Sequence, residues 1–355
     1  MRVVITRRFA LDVPDGINIF IFSLSQELLE MGNEVTVVAN TVSSKDKVRE
    51  FYKMSRYPES IALSERSHFN HEAGRMLATW YLKGRKVVDD ARPDLVIVNG
   101  ALPFTFRATT CTVSHDLEPH GGRIGFVRPL YKGLSYRRSD RIVATCTEVR
   151  DGLSKELRVD SSLIDVIPTC IDTKAYENEE FDARENAILH MGTVGYKNPI
   201  ATIKAFARVR SDCTLYITGR MEEYIEDFIR GLPQSIRDRI EFLGYASAER
   251  LKRLLGTVKI VSVPSQYVVP VASPTVLEAF ASGTPVVASR SISRDILRHD
   301  DNGFVCQAED EQEMSRRFEL LLDDAGRWKA MSLNASRTAE YFSARRVAER
   351  YLELA

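Results

Sequence analysis

Glu278 lies in the stretch IVSVPSQYVVPVASPTVLEAFASGTPVVA (260–288), where a continuous apolar run gives way to a Pro- and Ser-rich loop, a helical pattern and a second apolar run. A carboxylate there can accept two hydrogen bonds from a vicinal diol, or it can offset the helix dipole with no ligand at all. Ser273 and Pro274 predict the cap and first position of that helix, and Gly283 the left-handed residue that stops it. Lys197 precedes Asn198 and Pro199, a second predicted helix start. Unpaired N–H groups and an ammonium there suit phosphate oxygens, although a solvated lysine would look the same in sequence. His115 follows the apolar run TCTV, and a histidine can both donate and accept near neutral pH. The competing reading is a strand-end histidine bonded only to its neighbours. Arg220 follows LYITG, from where a guanidinium can fork onto a phosphate or lie at the surface.

Elements of a particular kind are needed to bring such residues together. IVSV is apolar without alternation, which predicts a parallel strand covered on both faces. In an open parallel sheet, loops leaving the carboxyl ends of the strands form the ligand crevice, so residues 264–278 are predicted to line a site. The rest of the chain repeats the theme. VVIT, VTVVA, LVIVNG, TCTVS, RIVAT and IDVIP alternate with amphipathic stretches such as NIFIFSLSQELLEMG and GRMLATWYLKGRKVVDDA. The pattern restarts with ILHMG, TLYITG, IEFLG, KIVSV, PVVAS and GFVC. This predicts an α/β fold of two doubly wound domains, residues 1–167 and 168–340, with the boundary around IPTCIDTKAY. The C-terminal segment reads as helices, with Asp310, Ser332 and Ser343 as candidate caps.

Composition narrows the function classes. A chain of 355 residues is long enough for two domains of about 100–200 residues each. Its 49 basic and 49 acidic residues balance, which gives no electrostatic argument for nucleic acid. No run approaches the ~20 apolar residues of a membrane span, and MRVVITRRFALDVPDG enters a strand without a signal-peptide core. The expected location is cytoplasmic. The five cysteines are scattered through apolar strands, and the six histidines form no HExxH-like cluster. Buried thiols in a reducing compartment and no bound metal are expected. One basic stretch, residues 123–141, carries Arg123, Arg128, Lys132, Arg137, Arg138 and Arg141. It reads as an amphipathic helix that touches anionic lipid at the inner membrane face, or as a solvated face laced with salt bridges.

Taken in order, several segments resemble the landmarks of one family. They are DGINIFIFSLSQELLEMGNEVTVVA, VSHDLEPH, SDRIVATCTEVRDGLSKELRVDSSLIDVIPTCIDTKAY, LHMGTVGYKNPIATIKAF, LYITGR, IEFLGYASAERLKRLL, VPSQY and SPTVLEAFASGTPVVAS. The family is that of the retaining nucleotide-sugar glycosyltransferases of GT-B architecture, family 4 and its glycogen-synthase-like relatives. The resemblance implies two Rossmann-like domains facing a central cleft, an acceptor domain rejoined by a C-terminal helix at 341–355, and a second domain for the donor. It implies transfer of a sugar from a UDP- or GDP-sugar to a hydroxyl of a sugar, glycan or lipid-linked acceptor, with retention and without metal or other cofactor.

The same resemblance assigns donor binding to Gly16, Gly192, Thr193, Lys197, Arg220, Val271, Ala272, Ser273, Thr275 and Glu278. Lys197 would hold the diphosphate, Glu278 the ribose, and His115 would stand near the transferred sugar. Three departures stand out. Gly192-Thr193-Val194-Gly195 replaces a phosphate-binding arginine; one glycine, Gly16, stands where the family often has two; and Pro270 occupies the position of a carboxylate eight residues before Glu278. Loop amides of Val271, Ala272 and Ser273 are expected to stand in for the missing side chain. Two other classes share the fold: a nucleotide-sugar or glycan binding protein with little or no transferase activity, and a sugar-nucleotide epimerase, for which the valine-rich loop lacks titratable groups.

Overall fold

A computed structural model describes the chain except for residues 12–14, 43, 45, 47–54, 65–72, 103, 116, 118–127, 177–178 and 267–269. Its strands form two parallel sheets. The first contains β1 (Arg2–Ala10), β2 (Glu34–Thr41), β3 (Glu59–Ala62), β4 (Leu95–Asn99), β5 (Thr109–Ser114), β6 (Arg141–Ala144) and β7 (Ile164–Val166), in the order β3-β2-β1-β4-β5-β6-β7. The second contains β8 (Glu185–Met191), β9 (Thr214–Thr218), β10 (Ile240–Gly244), β11 (Val258–Val263), β12 (Val286–Ser289) and β13 (Gly303–Cys306), in the order β10-β9-β8-β11-β12-β13. Each sheet winds outward from its first strand and then restarts on that strand's other side. The loops therefore diverge between β1 and β4 and between β8 and β11, the switch points at which this topology leaves a crevice.

The apolar runs behave as their composition demands. Every residue of β4 and of β11 is buried, because helices cover both faces. β3 is the exception that the apolar pattern missed. Its sequence, ESIA, has no buried residue, and it closes the edge of the first sheet, where a short polar strand is favoured.

The chain divides into Met1–Ile171 with Ala344–Ala355, and Asp172–Ser343. Both crossings fall a few residues later than the pattern change at 167 and 340. They meet in the first unit, where the Ala344 N–H donates to the Ile171 carbonyl at 2.9 Å. The last helix, Ala344–Leu352, packs on the helix Gly16–Glu30: Tyr351 is fully buried, with its ring 6.2 Å from that of Phe20. An aromatic pair of this kind contributes beyond its buried area and ties the chain's end to its beginning.

Some local expectations change. The stretch 73–90 is interrupted: between the helices Ala73–Thr79 and Arg85–Asp90, residues Trp80–Gly84 are π-helical. Trp80 is fully buried, and a Cβ at position 84 would collide with its ring, so the wide turn needs glycine there. Ser332 is not a cap; it is buried inside the helix Ala325–Tyr341, which starts at Asp324, whose carboxylate accepts the Arg327 N–H at 2.9 Å. Asp310 does cap Glu311–Asp323, accepting from the Glu313 N–H at 2.9 Å, and Ser343 directly precedes the last helix.

All five cysteines are buried free thiols. No helix among the described residues is long and apolar enough to cross a membrane. Of the basic stretch, Arg123 lies outside the described residues. The helix Arg128–Arg138 forms, and Arg137 donates to the Leu157 carbonyl at 2.9 Å.

Candidate functional site

In the second unit, β8 leads into a turn that only glycine can make comfortably. Gly192 has φ +85°, and a Cβ there would lie 3.1 Å from both Cδ and Nζ of Lys197. A 3-10 turn, Gly195–Lys197, and Asn198 in the left-handed region at φ 53° then deliver the chain to the helix Pro199–Phe206. The Asn198 side chain makes no capping bond. Lys197 folds back so that Nζ donates to the Met191 carbonyl at 3.0 Å. Burial lowers its pKa, and the charge of Glu278 partly counters that shift.

Behind this turn lies a buried relay. His190 Nε2 is 3.0 Å from the Gly192 carbonyl, which can only accept, so Nε2 carries the hydrogen. Nδ1, 2.9 Å from Thr202 Oγ1, must then accept, and Thr202 Oγ1 in turn takes the hydrogen of Ser262 Oγ at 2.8 Å. Burial, with Lys197 adding to it, pushes the His190 pKa down to about 3, so the imidazole is neutral. The relay joins β8, the helix after it and β11, and it fixes the carbonyl of Gly192.

On the β11 side, the Gln266 N–H donates to the Tyr196 carbonyl at 2.7 Å, linking the two switch-point loops. Ser289 and Ser291 hydroxyls both donate to the Ser265 carbonyl, at 2.5 and 2.6 Å. The Val271 amide does not face a ligand as expected; it donates to the Ser291 carbonyl at 3.0 Å in a short parallel bridge. Backbone amides near a sheet pair with the adjacent chain first. Ser273 occupies the N-cap position and Pro274 the first position of the helix Pro274–Ala281, yet the serine side chain makes no capping bond. Instead Ser273 lines a small pocket, with Met191 and Lys197 on one side and Val263, Ser265 and Thr275 beside it. Pro270 is half-buried.

Glu278 projects from the second turn of this helix, and its Oε1 accepts a hydrogen bond from the Tyr176 hydroxyl at 2.9 Å. Burial raises the carboxyl's pKa, while Tyr176, Lys197 and Lys252 pull it back. Gly283 has φ +62° and ends the helix as its sequence predicts.

Arg220 takes a different role from the expected phosphate fork. Its side chain is 72% exposed and lies 3.9 Å from Glu222, outside the set that lines the pocket. Its carbonyl is the useful group, accepting from Thr193 Oγ1 at 2.7 Å. Gly219, at φ +121°, lets β9 approach that loop: a Cβ there would be 2.9 Å from Thr193 Oγ1.

The first unit builds a second polar cluster, at its own switch point. Asp15 caps the helix that begins at Gly16, accepting the Asn18 N–H at 2.8 Å with one oxygen and Arg7 Nη2 at 2.5 Å with the other. Asn99, ending β4, donates to the Thr6 carbonyl at 3.2 Å, which turns its Oδ1 toward His115 Nε2 at 2.8 Å. His115 is therefore protonated on Nε2, leaving Nδ1 as an acceptor. Burial first, and Arg7 second, push its pKa down to about 3. The ring sits edge-on to Phe20 at 5.2 Å, and the His115 carbonyl accepts from Thr145 Oγ1 at 3.1 Å. His120 lies outside the described residues.

The structure thus brings Gly192, Thr193, Lys197, Ser273, Thr275 and Glu278 to one switch point and places Gly16 and His115 at the other. Arg7, Asn99, Tyr176 and His190 were missed. Arg7 and His190 had a signal, a polar residue inside an apolar strand run, which persists only when partnered. Tyr176 and Asn99 had none.

Solved glycosyltransferases of GT-B architecture share this fold along nearly their whole length. Sucrose-phosphate synthase from Thermosynechococcus elongatus matches with a TM-score of 0.81 at 16% identity, covering 100% of this chain and 98% of that one. Anabaena HepE, solved with UDP and glucose, matches with a TM-score of 0.76 at 17% identity, covering 99% and 98%. This is the GT-B glycosyltransferase fold.

Two family models then divide the sequence between them: Glycosyltransferase Family 4 matches residues 14–175, and Glycosyl transferases group 1 matches residues 172–338. The chain belongs to the family 4, group 1 glycosyltransferases and is an enzyme of sugar transfer. An uncharacterized glycosyltransferase of Haemophilus influenzae is 25% identical over 76% of this chain and 78% of its own length. D-inositol 3-phosphate glycosyltransferase of Rhodococcus jostii is 26% identical over 61% of this chain and 52% of that protein. An uncharacterized glycosyltransferase of Methanocaldococcus jannaschii is 31% identical over 40% and 37%. The matches thus span about half or less of the latter two relatives.

Proposed function

We propose that the chain transfers a sugar from a UDP- or GDP-sugar to a hydroxyl of a sugar, glycan or lipid-linked acceptor, with retention and without metal. One observation carries the reading. At the β8/β11 switch point a half-buried ammonium rests on the Met191 carbonyl and a half-buried carboxylate on the Tyr176 hydroxyl, and among the described residues no ion pair joins the two charges. Such a pair has charge to offer a ligand that is anionic at one end and carries a diol at the other. Lys197 exchanges the Met191 carbonyl for a diphosphate oxygen, an upgrade from a dipole to a full charge. Gly192 and Thr193 admit the phosphates close to backbone, and the helix starts at Pro199 and Pro274 add partial positive charge. Glu278 accepts from the ribose. Ala272, Ser273 and Thr275 hold phosphate or sugar hydroxyls. In the first unit His115, neutral, offers Nδ1 to a sugar hydroxyl.

In the reaction the acceptor oxygen bonds to the anomeric carbon on the face from which the phosphate oxygen departs. The acceptor's proton goes to that departing oxygen, so no protein base is required. The protein positions the donor and stabilises the charge that develops on the diphosphate. UDP-glucose is the first donor to try, since a neighbour of the same fold was solved with UDP and glucose.

Pro270, where a second carboxylate would stand, favours one competing reading, a protein that binds nucleotide sugars and turns them over slowly or not at all. A panel of UDP-, GDP- and ADP-sugars, assayed with and without EDTA on the wild type, Lys197→Ala and Glu278→Ala, decides between them. Transfer or donor hydrolysis that survives EDTA and collapses in both variants is the expected result. Nucleotide binding without turnover would replace this reading by the binding one, and isomerised free donor would replace it by an epimerase.

A further inference from the structure

Tyr176 stands at the start of the second unit, directly after the 3-10 turn Thr173–Ala175, and 102 residues before the glutamate it bonds. Three observations single it out. Its hydroxyl donates to Glu278 Oε1 at 2.9 Å. Its ring face is covered by the Lys252 ammonium, 5.4 Å from the centroid, so the ring is held from the side as well as at its tip. Lys252 comes from the helix Ala248–Thr257, so three separate segments converge on one carboxylate.

A glutamate has three side-chain torsions, and a free one loses substantial rotamer entropy when a ligand immobilises it. A phenol on two torsions, itself clamped, removes that freedom before the ligand arrives. Taking one lone pair of Oε1 also leaves Oε2 as the unshared oxygen. We propose that Tyr176 is a positioning residue for Glu278, which makes the site discriminate ribose from deoxyribose in the nucleotide it binds. This rests on the reading of Glu278 as the ribose acceptor. The phenol is suited to it because burial and the neighbouring carboxylate raise its pKa well above 10, so it remains a donor at every working pH.

The test is a double-mutant cycle with Tyr176→Phe, which removes one oxygen and keeps the ring, and Glu278→Gln. The probes are UDP, GDP and ADP, each paired with its 2′-deoxy counterpart, titrated against the full chain. In the wild type the ribonucleotide is preferred. Tyr176→Phe weakens its binding about five- to tenfold, the cost of immobilising a glutamate that the phenol no longer holds, and narrows the ribose preference. In the Glu278→Gln background the same change costs less than twofold, because Tyr176 acts through the carboxylate.

A second readout is the acid limb of binding. Glu278 is faced by Tyr176, Lys197 and Lys252. Losing the phenol removes one of the groups that lower its pKa, so the limb moves to higher pH. Unchanged affinity, ribose preference and acid limb in Tyr176→Phe would reduce Tyr176 to packing while leaving the site's function intact. A wild type that binds none of the three nucleotides would overturn the ribose reading of Glu278 itself, and this role with it.

Discussion

The two sheets run through the same strand order, and their switch points differ in how charge is paired. Between β1 and β4 the charged and ring groups pair within the cluster, Arg7 with Asp15, Asp15 with the helix start and Asn99 with His115, while the buried Thr6 Oγ1 and Asn40 Oδ1 beside them make no hydrogen bond. Between β8 and β11 an ammonium rests on a carbonyl, and a carboxylate accepts a phenol's hydrogen. The repeated topology explains why both clusters exist at the carboxyl ends of strands. It does not single out either of them for an anionic ligand. The proposed donor site is the one where a full positive charge rests on a neutral carbonyl and not on a carboxylate. Lys197 carries that charge, and an ammonium has three donors, one of them directed at Met191.

The comparison fails most visibly at Lys197 if it is wrong. Lys197→Ala is expected to lower kcat/KM for the donor by about 10²–10³, the usual loss when one preorganised donor to developing charge is removed. A change within threefold would put the phosphate site elsewhere. Glu278→Gln comes next, weakening nucleotide binding by roughly 10- to 100-fold, as expected for hydrogen bonds to a charged acceptor. Calorimetric titration of the nucleoside diphosphate reads it directly.

The third prediction concerns pH. The pKa values of His115 and His190 are held down at about 3 in the folded chain, against about 6.5 when unfolded. The unfolded chain therefore takes up more protons below that pH. The stability from keeping these rings neutral is fully present above about 6.5 and lost as pH falls from there toward 3. Urea denaturation at pH 7 and 5.5 should show a loss of about 1 kcal/mol per histidine. His190→Asn and His115→Asn should each flatten the slope by one proton. The raised pKa of Glu278 acts in the opposite direction, because its folded form gains a proton more readily. The smallest effect belongs to Arg220→Ala. Because the side chain is 72% exposed and its contribution to the loop is a carbonyl, kcat/KM should stay within about threefold, as for other surface charges. A hundredfold loss would restore it to the phosphate site.

Much of this was legible along the chain. Continuous apolar runs gave twelve of the strand segments their parallel character in advance, and β3 escaped because an edge strand need not be apolar. Gly283 and Asp310 announced a helix end and a helix start correctly, since a left-handed residue and a capping carboxylate are requirements of the local backbone. Ser332 misled, because a serine inside a polar-looking stretch resembles a cap until Asp324 is seen to take the position. Val271 was misread for a related reason: its amide looked available in sequence, but the residue that consumes it, Ser291, belongs to the next strand's loop.

By itself, then, the amino-acid sequence determined the periodicity, the two-domain division and the residue types stationed at strand ends, all of which depend on neighbours a few positions away. Tertiary structure alone decided which of those residues share a hydrogen bond. Tyr176 reaches Glu278, His190 reaches Ser262 through Thr202, and Asn99 reaches His115. The physical reason is that such partners are set by which strands lie side by side, and strand order is a property of the packed sheet rather than of any local stretch of chain.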